Sequence, residues 1–422
     1  MTTRVVWVRV SEGVVGDPDG RRSLRPSTSS LRREKVKKGL LVALVVLLFA
    51  TFAHANRTRV ATMGMTDVFL WDEENIFFCP ALATGYPNEI IAEMPSYPPG
   101  YEHSNASVGA FLTNDEMASM GVLGLVVNRS TTTVPDGFLN PIPSFDLIYA
   151  KNLGGFGIGG MLTFARNSYS YEPADTLSME QSTSVMGITP GVTFAMGEKG
   201  SVDIGFEYHM ISFSDKDNVA GVTMESDGAM AMGANLRAML PMGQYVYFIP
   251  YFHFGMSNLN WKTTTASTST DVTECDGSMF GGGVGLNIMP FEETTVLAGL
   301  SLSMASEDNS DEFYPDSLNS TSDMTPALVF GAESRFNSWM TGRVGARKTF
   351  FASHKDENYH GDKTTWASDS FMLAVGLGLN IGDFNLDAKL HEDFLFTGPE
   401  FIGGSGNPPS VMLSAEYNFS GM

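Results

Sequence analysis

Hydrophobic and polar residues alternate with a strict period of two along much of the chain. From Ser370 to Ile381 one set of positions is Phe371, Leu373, Val375, Leu377, Leu379 and Ile381. The intervening set is Ser370, Met372, Ala374, Gly376, Gly378 and Asn380, mostly small or polar. Side chains of a strand point alternately to its two faces, so this spacing predicts a strand with one greasy face. Val202, Ile204, Phe206, Tyr208 and Met210 repeat the pattern against Asp203, Gly205, Glu207 and His209, where the second face carries charge. It recurs over 280–288, 296–304, 384–390 and 411–419. A soluble sandwich gives the same alternation with the apolar face inward, so period alone leaves two architectures open.

Strand length and the connections choose between them. Many segments run to about 10–13 residues, enough for a tilted strand to cross a bilayer. Short connections fall at 152–155, 197–200, 241–244, 290–293, 337–338 and 382–383. Between them lie long polar stretches near 167–183, 214–224, 258–275, 306–323, 349–368 and 394–409, which predict loops. Short turns on one side and long loops on the other are the pattern of outer-membrane barrels, with the short turns periplasmic. The expected fold is therefore all-β, a transmembrane antiparallel up-and-down barrel of about 14–16 strands. Phe194, Tyr245, Phe291, Phe336, Trp339 and Phe384 flank the short turns, as an interfacial aromatic girdle requires. The last strand alternates and ends on Tyr417 and Phe419, resembling the C-terminal signal read by the barrel-assembly machinery. Ser420, Gly421 and Met422 follow it, a departure from a terminal aromatic.

One continuous apolar run, Gly39 to Phe52, is shorter than the roughly 20 residues of a membrane-spanning helix. With Lys35, Lys37 and Lys38 before it and Ala53-His54-Ala55 after it, residues 35–55 read as a signal peptide cleaved after Ala55. That implies export and, with the barrel pattern, the bacterial outer membrane. Residues 1–34 are Arg-rich and patternless and precede a complete signal, so they read as a non-native or disordered extension. The pair Arg32-Arg33 lacks the apolar neighbours of a twin-arginine signal. Only 17% of the 422 residues are charged and 44 are glycine, which fits alternating faces. The formal charge of −21 becomes −27 once residues 1–55 are removed, which excludes nucleic-acid binding because phosphate contacts need clustered Lys and Arg.

Ahead of the first strand, Met63-Gly64, the acidic pair Asp72-Glu73 and Pro80-Ala81 form a pattern that resembles the N-terminal region of the FadL/TodX hydrophobic-compound transporters and of related PorV-like proteins. Met65 stands where the family has a second glycine and Cys79 where it has asparagine. The resemblance implies that residues 56–87 fold as a plug inside a barrel formed by 88–422. It also implies passive transport of a small hydrophobic solute. The alternatives are a periplasmic lead-in in place of a plug, and a structural or protein-interaction barrel, a PorV-like shuttle or scaffold, in place of a transporter.

Candidate chemistry adds little that is catalytic. Gly155-Phe156-Gly157-Ile158-Gly159-Gly160 has nucleotide-loop spacing but opens a strand, with no helix to present its N-terminus to phosphate. Gly403-Gly404-Ser405-Gly406-Asn407 misses the nucleophile-elbow pattern at its last position. His209, His253 and His391 show no metal-ligand spacing and read as lumen residues. Neither an enzyme, a cofactor nor a metal site is expected. Alternation directs Asp203, Glu207, His209, Arg237, Glu333, Arg335, Arg343, Arg347, Asp387, Lys389 and Glu416 into the lumen, with ion pairs expected in the hairpin that carries Glu333, Arg335, Arg343 and Arg347. Gly281, Gly283 and Gly285 would leave inward room. Cys79 and Cys275, in the plug and an outer loop, are not expected to pair. The acids Glu307, Asp308, Asp311 and Glu312 belong to a solvated loop or bridge divalent cations to lipopolysaccharide.

Overall fold

The computed structural model describes residues 57–64, 67–94, 106–113, 120–129, 134–135, 138–171, 178–197, 199–218, 221–265, 270–291, 293–311, 318–358, 362–390 and 410–419. The signal peptide and extension, His391, the loop at 403–407 and the terminal 420–422 lie outside them. The first strand segments are β1 (Glu89–Met94), β2 (Ser107–Leu112), β3 (Val122–Val127), β4 (Ser144–Asn152), β5 (Phe156–Tyr171) and β6 (Met179–Met196). Next come β7 (Gly200–Asp217), β8 (Val222–Ser226), β9 (Met230–Pro241), β10 (Val246–Asn258), β11 (Trp261–Thr265) and β12 (Thr270–Phe291). The last are β13 (Thr294–Asp311), β14 (Leu318–Asn337), β15 (Met340–Asn358), β16 (Lys363–Ile381), β17 (Phe384–Leu390) and β18 (Ser410–Asn418). Both β8 and β9 pair with β7, and both β10 and β11 pair with β12. Each of these pairs is one interrupted strand, so 18 segments make a 16-stranded wall. Every pairing is antiparallel, and β1 pairs with β18 from Glu89↔Asn418 to Met94↔Leu413, which closes the sheet.

The greasy faces point outward. On β16, Phe371, Leu377 and Ile381 are exposed while Ala374 is buried. On β7, Ile204, Phe206 and Met210 are exposed while Asp203 and Ile211 are buried. The sandwich alternative would reverse both. An outward apolar belt on a closed barrel with no free edge is a transmembrane solution, because hydrocarbon solvates the side chains and the ladder satisfies every backbone group. Phe194, Tyr245, Phe291, Phe336 and Trp339 are exposed beside the short turns.

Two expectations change. The polar stretches read as loops over 258–275, 306–323 and 349–368 are largely paired strand: β12 runs for 22 residues, β14 for 20 and β15 for 19. Their Ser- and Thr-rich sequences suit a strand, and beyond the apolar belt water accepts polar side chains on both faces while the ladder continues. Hydropathy marks where the bilayer ends, not where pairing ends. Cys275, expected in an outer loop, accordingly sits buried in β12, and both cysteines are free.

The segment before β1 lies inside the barrel. It consists of a helix, Arg57–Thr62, a 3-10 turn, Asp67–Phe69, a short helix, Asn75–Phe78, and a 3-10 stretch, Pro80–Gly85, whose proline occupies the first position, where no N–H is needed. Ile76 and Ala83 pack with Phe111, Val126 and Ile148 of the wall; Phe69 packs with Met239, Tyr247 and Ile249; Met63 and Leu70 pack with Leu297 and Val329. Each of the larger side chains, Met63, Phe69, Leu70 and Ile76, contributes about 1.5–3 kcal/mol by leaving water. Wall glycines admit the plug's backbone. A Cβ at Gly345 would stand 2.3 Å from the Gly64 nitrogen, one at Gly159 2.4 Å from the Ala81 nitrogen, and one at Gly205 1.9 Å from the Phe78 oxygen.

Candidate functional site: the lumen

Two arginine centres lock the plug. Arg237, on β9, and Asp203, on β7, are opposite each other in register and both fully buried. The guanidinium donates to Asp203 Oδ2 at 2.8 and 3.0 Å, to the Leu70 carbonyl at 3.1 Å and to Asn75 Oδ1. Thr193 donates to the other Asp203 oxygen at 2.6 Å. Wall charge is thus tied to plug backbone and side chain at once. The second centre starts from the plug: Arg59 donates to both oxygens of Glu333 at 3.0 Å, to Asp72 at 3.1 Å and to the Trp71 carbonyl at 2.9 Å. Glu333 also accepts from Arg343, which pairs with Asp387. Burial works against the Arg59 charge, but the carboxylates of Glu333 and Asp72 outweigh it and hold its pKa well above the ordinary value.

The plug-pattern residues lie in these contacts. Met63, Pro80 and Ala81 are buried against the wall, and Gly64, at φ +95°, occupies a backbone region that favours glycine. Asp72 is the partner of Arg59. Glu73 is buried, and that burial, reinforced by Asp72, Glu89 and Glu416, pushes its carboxyl well above the usual range. Cys79 is buried too; desolvation first and Asp203 second push its thiol up to about 12.

The residues predicted to face the lumen separate into two cavities. Glu333, Arg335, Arg343, Asp387 and Glu416 line a polar cavity of about 260 Å³ beside Arg59 and Glu73, toward the short turns. Glu207 and His209 line a larger one of about 420 Å³ on the other side of the plug helix. Of the ion pairs expected in the β14–β15 hairpin, Glu333–Arg343 is present, in direct register. Arg347 shares the inner face of β15 with Arg343, and Lys389 that of β17 with Asp387. Tyr417 and Phe419 stack with ring centroids 6.4 Å apart. Gly285 makes room for Phe69 of the plug, whereas Gly281 accommodates His253 of the wall.

Sequence reasoning missed Arg59, Arg129 and Asp146. Arg129 donates to Asp146 at 2.7 Å and lies 4.4 Å over the Phe77 ring, at the edge of the larger cavity. The signal was present: Asp146 alternates with Phe145, Leu147 and Tyr149.

The larger cavity has an unusual wall. Phe77 of the plug lies at its floor, and Leu259 connects it to an apolar cluster of Val134, Phe138, Phe213 and Trp261 toward the long loops. Inward-facing Arg129, Met161, Glu207 and His209 line it, and so do Met232, Met256, Ser278 and Ser306, which alternation directs outward. Gly255 and Gly277 lie between, without side chains to close the wall. A groove of about 320 Å³ shares Met232, Met256, Ser278 and Ser306 with it. Here the wall is also interrupted: β8 gives way to β9 around Gly228, at φ +71°, and β10 to β11 at Leu259-Asn260. The breaks are adjacent and bridged by a hydrogen bond from Asp227 N to Asn260 O, while Leu259 N donates to Cys275 O of β12.

No protein-family model and no curated relative matches the sequence. Among solved structures the chain is similar to a Pseudomonas aeruginosa FadL homologue, at 11% identity over 85% of this chain and 96% of that one, with a TM-score of 0.42. It is similar to the Pseudomonas putida toluene transporter TodX, at 9% identity over 78% and 90%, with a TM-score of 0.39. It is also similar to the ferric yersiniabactin uptake receptor FyuA from Yersinia pestis, at 10% identity and a TM-score of 0.41 over 71% of this chain. The chain spans 53% of that receptor's length.

Proposed function

We propose that this barrel is a passive outer-membrane channel for small hydrophobic compounds, and that its solute leaves sideways through the wall instead of through the plugged end. The observation that carries this reading is the 420 Å³ cavity whose lining includes both lumen-facing and outward-facing side chains at the two adjacent strand interruptions. The plug blocks a straight path, since its backbone sits within reach of wall glycines. A molecule entering from the long-loop end meets Phe77 as a floor and Met232 and Met256 at the side. Thioether side chains are unbranched and adaptable, which suits a door that must pass apolar solutes of varied shape. Arg129, Glu207 and His209 supply polar contacts that would orient a solute with one polar end. Export through a signal peptide cleaved after Ala55, recognition of Tyr417 and Phe419 by the assembly machinery, and contact of the acidic strand tips with lipopolysaccharide complete the reading.

The test is uptake of a small hydrocarbon into vesicles carrying the purified barrel. Replacing Met232 and Met256 together by Trp fills the door and lowers uptake to the rate of empty vesicles. Uptake that persists unchanged in this variant overturns the lateral route. Deleting Asn56 to Gly85 raises single-channel ion conductance, and an unchanged conductance would refute the plug's role as a stopper.

A further inference from the structure

Acidic groups near the short turns fall into two sets. Asp72, Glu333 and Asp387 are paired with Arg59 or Arg343. Glu73, Glu89 and Glu416 enter no ion pair among the described residues, although Glu73 is only 8% exposed and Glu89 2%. Glu73 belongs to the plug, Glu89 opens β1, and Glu416 faces inward from β18, the strand that closes the barrel against β1. One carboxylate oxygen from each lies within 4.8 Å of the other two. Glu73 Oε2 and Glu89 Oε1 have no hydrogen-bond partner. Neither has the Ser414 hydroxyl, two positions from Glu416 on the same face of β18.

Charge counting sharpens the contrast. In the adjoining 260 Å³ cavity, Arg59, Arg335 and Arg343 match Glu293, Glu333 and Asp387 one for one. The triad's charge is left over. Two buried carboxylates and a half-buried third, packed this closely, cannot all ionise without a counter-charge. Oxygens around Ca²⁺ stand about 2.3–2.6 Å from the ion, so oxygens sharing one ion lie at most about 5 Å apart. The triad meets that spacing, and the cavity offers room for waters to complete the six to eight ligands that calcium takes. An all-oxygen set selects a hard cation over zinc or copper, and Mg²⁺ favours near-ideal octahedra at shorter distances.

We infer that Glu73, Glu89 and Glu416 bind one hard divalent cation, Ca²⁺ foremost, which pins the plug to the closing seam of the barrel. The site is distinct from any bridging of the loop acids to lipopolysaccharide, and does not depend on the lateral route.

The experiment is calcium titration by calorimetry of the full barrel in detergent, stripped with a chelator, at neutral pH, with melting temperature followed in parallel. Expected is one saturable site per chain and a melting temperature that rises with calcium. Glu73→Gln and Glu89→Gln each weaken binding by at least about tenfold, whereas Glu307→Gln with Asp308→Asn, at the other end, leaves it intact. Both Gln variants are neutral and remain folded, as checked by circular dichroism and heat-modifiable gel mobility. Absence of a saturable site in the wild type overturns the inference, as does wild-type affinity in both Gln variants. If the Gln variants melt higher than a wild type that binds no calcium, the triad holds protons and the cation assignment falls.

Discussion

Two regions of the lumen wall, the one against the plug and the one at Gly255, use the same residue in opposite ways. Around the plug, wall glycines are places where another backbone already sits: Gly345 against Gly64, Gly159 against Ala81, Gly205 against Phe78. Around the larger cavity the nearest atom to a Cβ on Gly255 would be 3.8 Å away, the Met232 carbonyl oxygen and the tip of Met279. Glycine beside the plug admits another backbone; Gly255 leaves the wall thin, although a Cβ on neighbouring Gly277 would meet the Ser257 hydroxyl at 2.5 Å. The plugged half is also where the fully buried Arg237–Asp203 pair lies, while the cavity half has Met side chains and two interrupted strands. On the proposed lateral route, the first half would stay closed and the second give way.

The largest expected effect concerns reactivity. In a Cys275→Ser background Cys79 is the remaining thiol, and its pKa, raised from 9.0 to about 12 by burial and then by Asp203, leaves about a thousandfold less thiolate at pH 8 than in the unfolded chain. Maleimide labelling should therefore be very slow until the barrel is unfolded. Because the folded state holds this proton more tightly, the group supports folding below pH 9 and loses that support as pH rises from 9 toward 12. Rapid labelling of native protein would mean that the plug is loose. Next is Arg237→Met, which strands Asp203 in the wall and should cost about 3–5 kcal/mol in urea unfolding. Adding Asp203→Asn should return most of it, and a double variant as weak as the single one would show that Arg237 acts through Leu70 and Asn75 instead.

Smaller effects distinguish the two kinds of glycine. Gly345→Val intrudes on the Gly64 backbone and should cost about 1–3 kcal/mol, with faster Cys79 labelling. Gly255→Ala meets only ordinary van der Waals distances and should stay within about 0.5 kcal/mol of wild type. Equal costs for the two would erase the contrast between the halves.

Much of this was readable from alternation. The inward set from Asp203 to Glu416 followed from parity alone, because a strand offers two faces and lipid admits one chemistry. Met63-Gly64 and Pro80-Ala81, which lie buried against the wall, stand outside any alternation and are singled out by resemblance alone. Parity says nothing about where pairing stops, so the polar tips of β12 to β15 read as loops. Nor does it show partners from distant segments: Arg59 meets Glu333 across 274 positions, and Asn75 meets Arg237 across 162. The interruption at Gly228 was hidden because Met230 and Met232 continue the alternation on its far side.

The 3-10 stretch of the plug ends at Gly85 and β1 begins at Glu89, so only three residues separate the stopper from the first stave. The final stave, β18, then bonds to that first one. The chain's opening segment is consequently laid down next to the gap that its closing segment fills. The stopper is thereby tethered, within three residues, to the seam that makes the ring, so its leash is tied to the clasp.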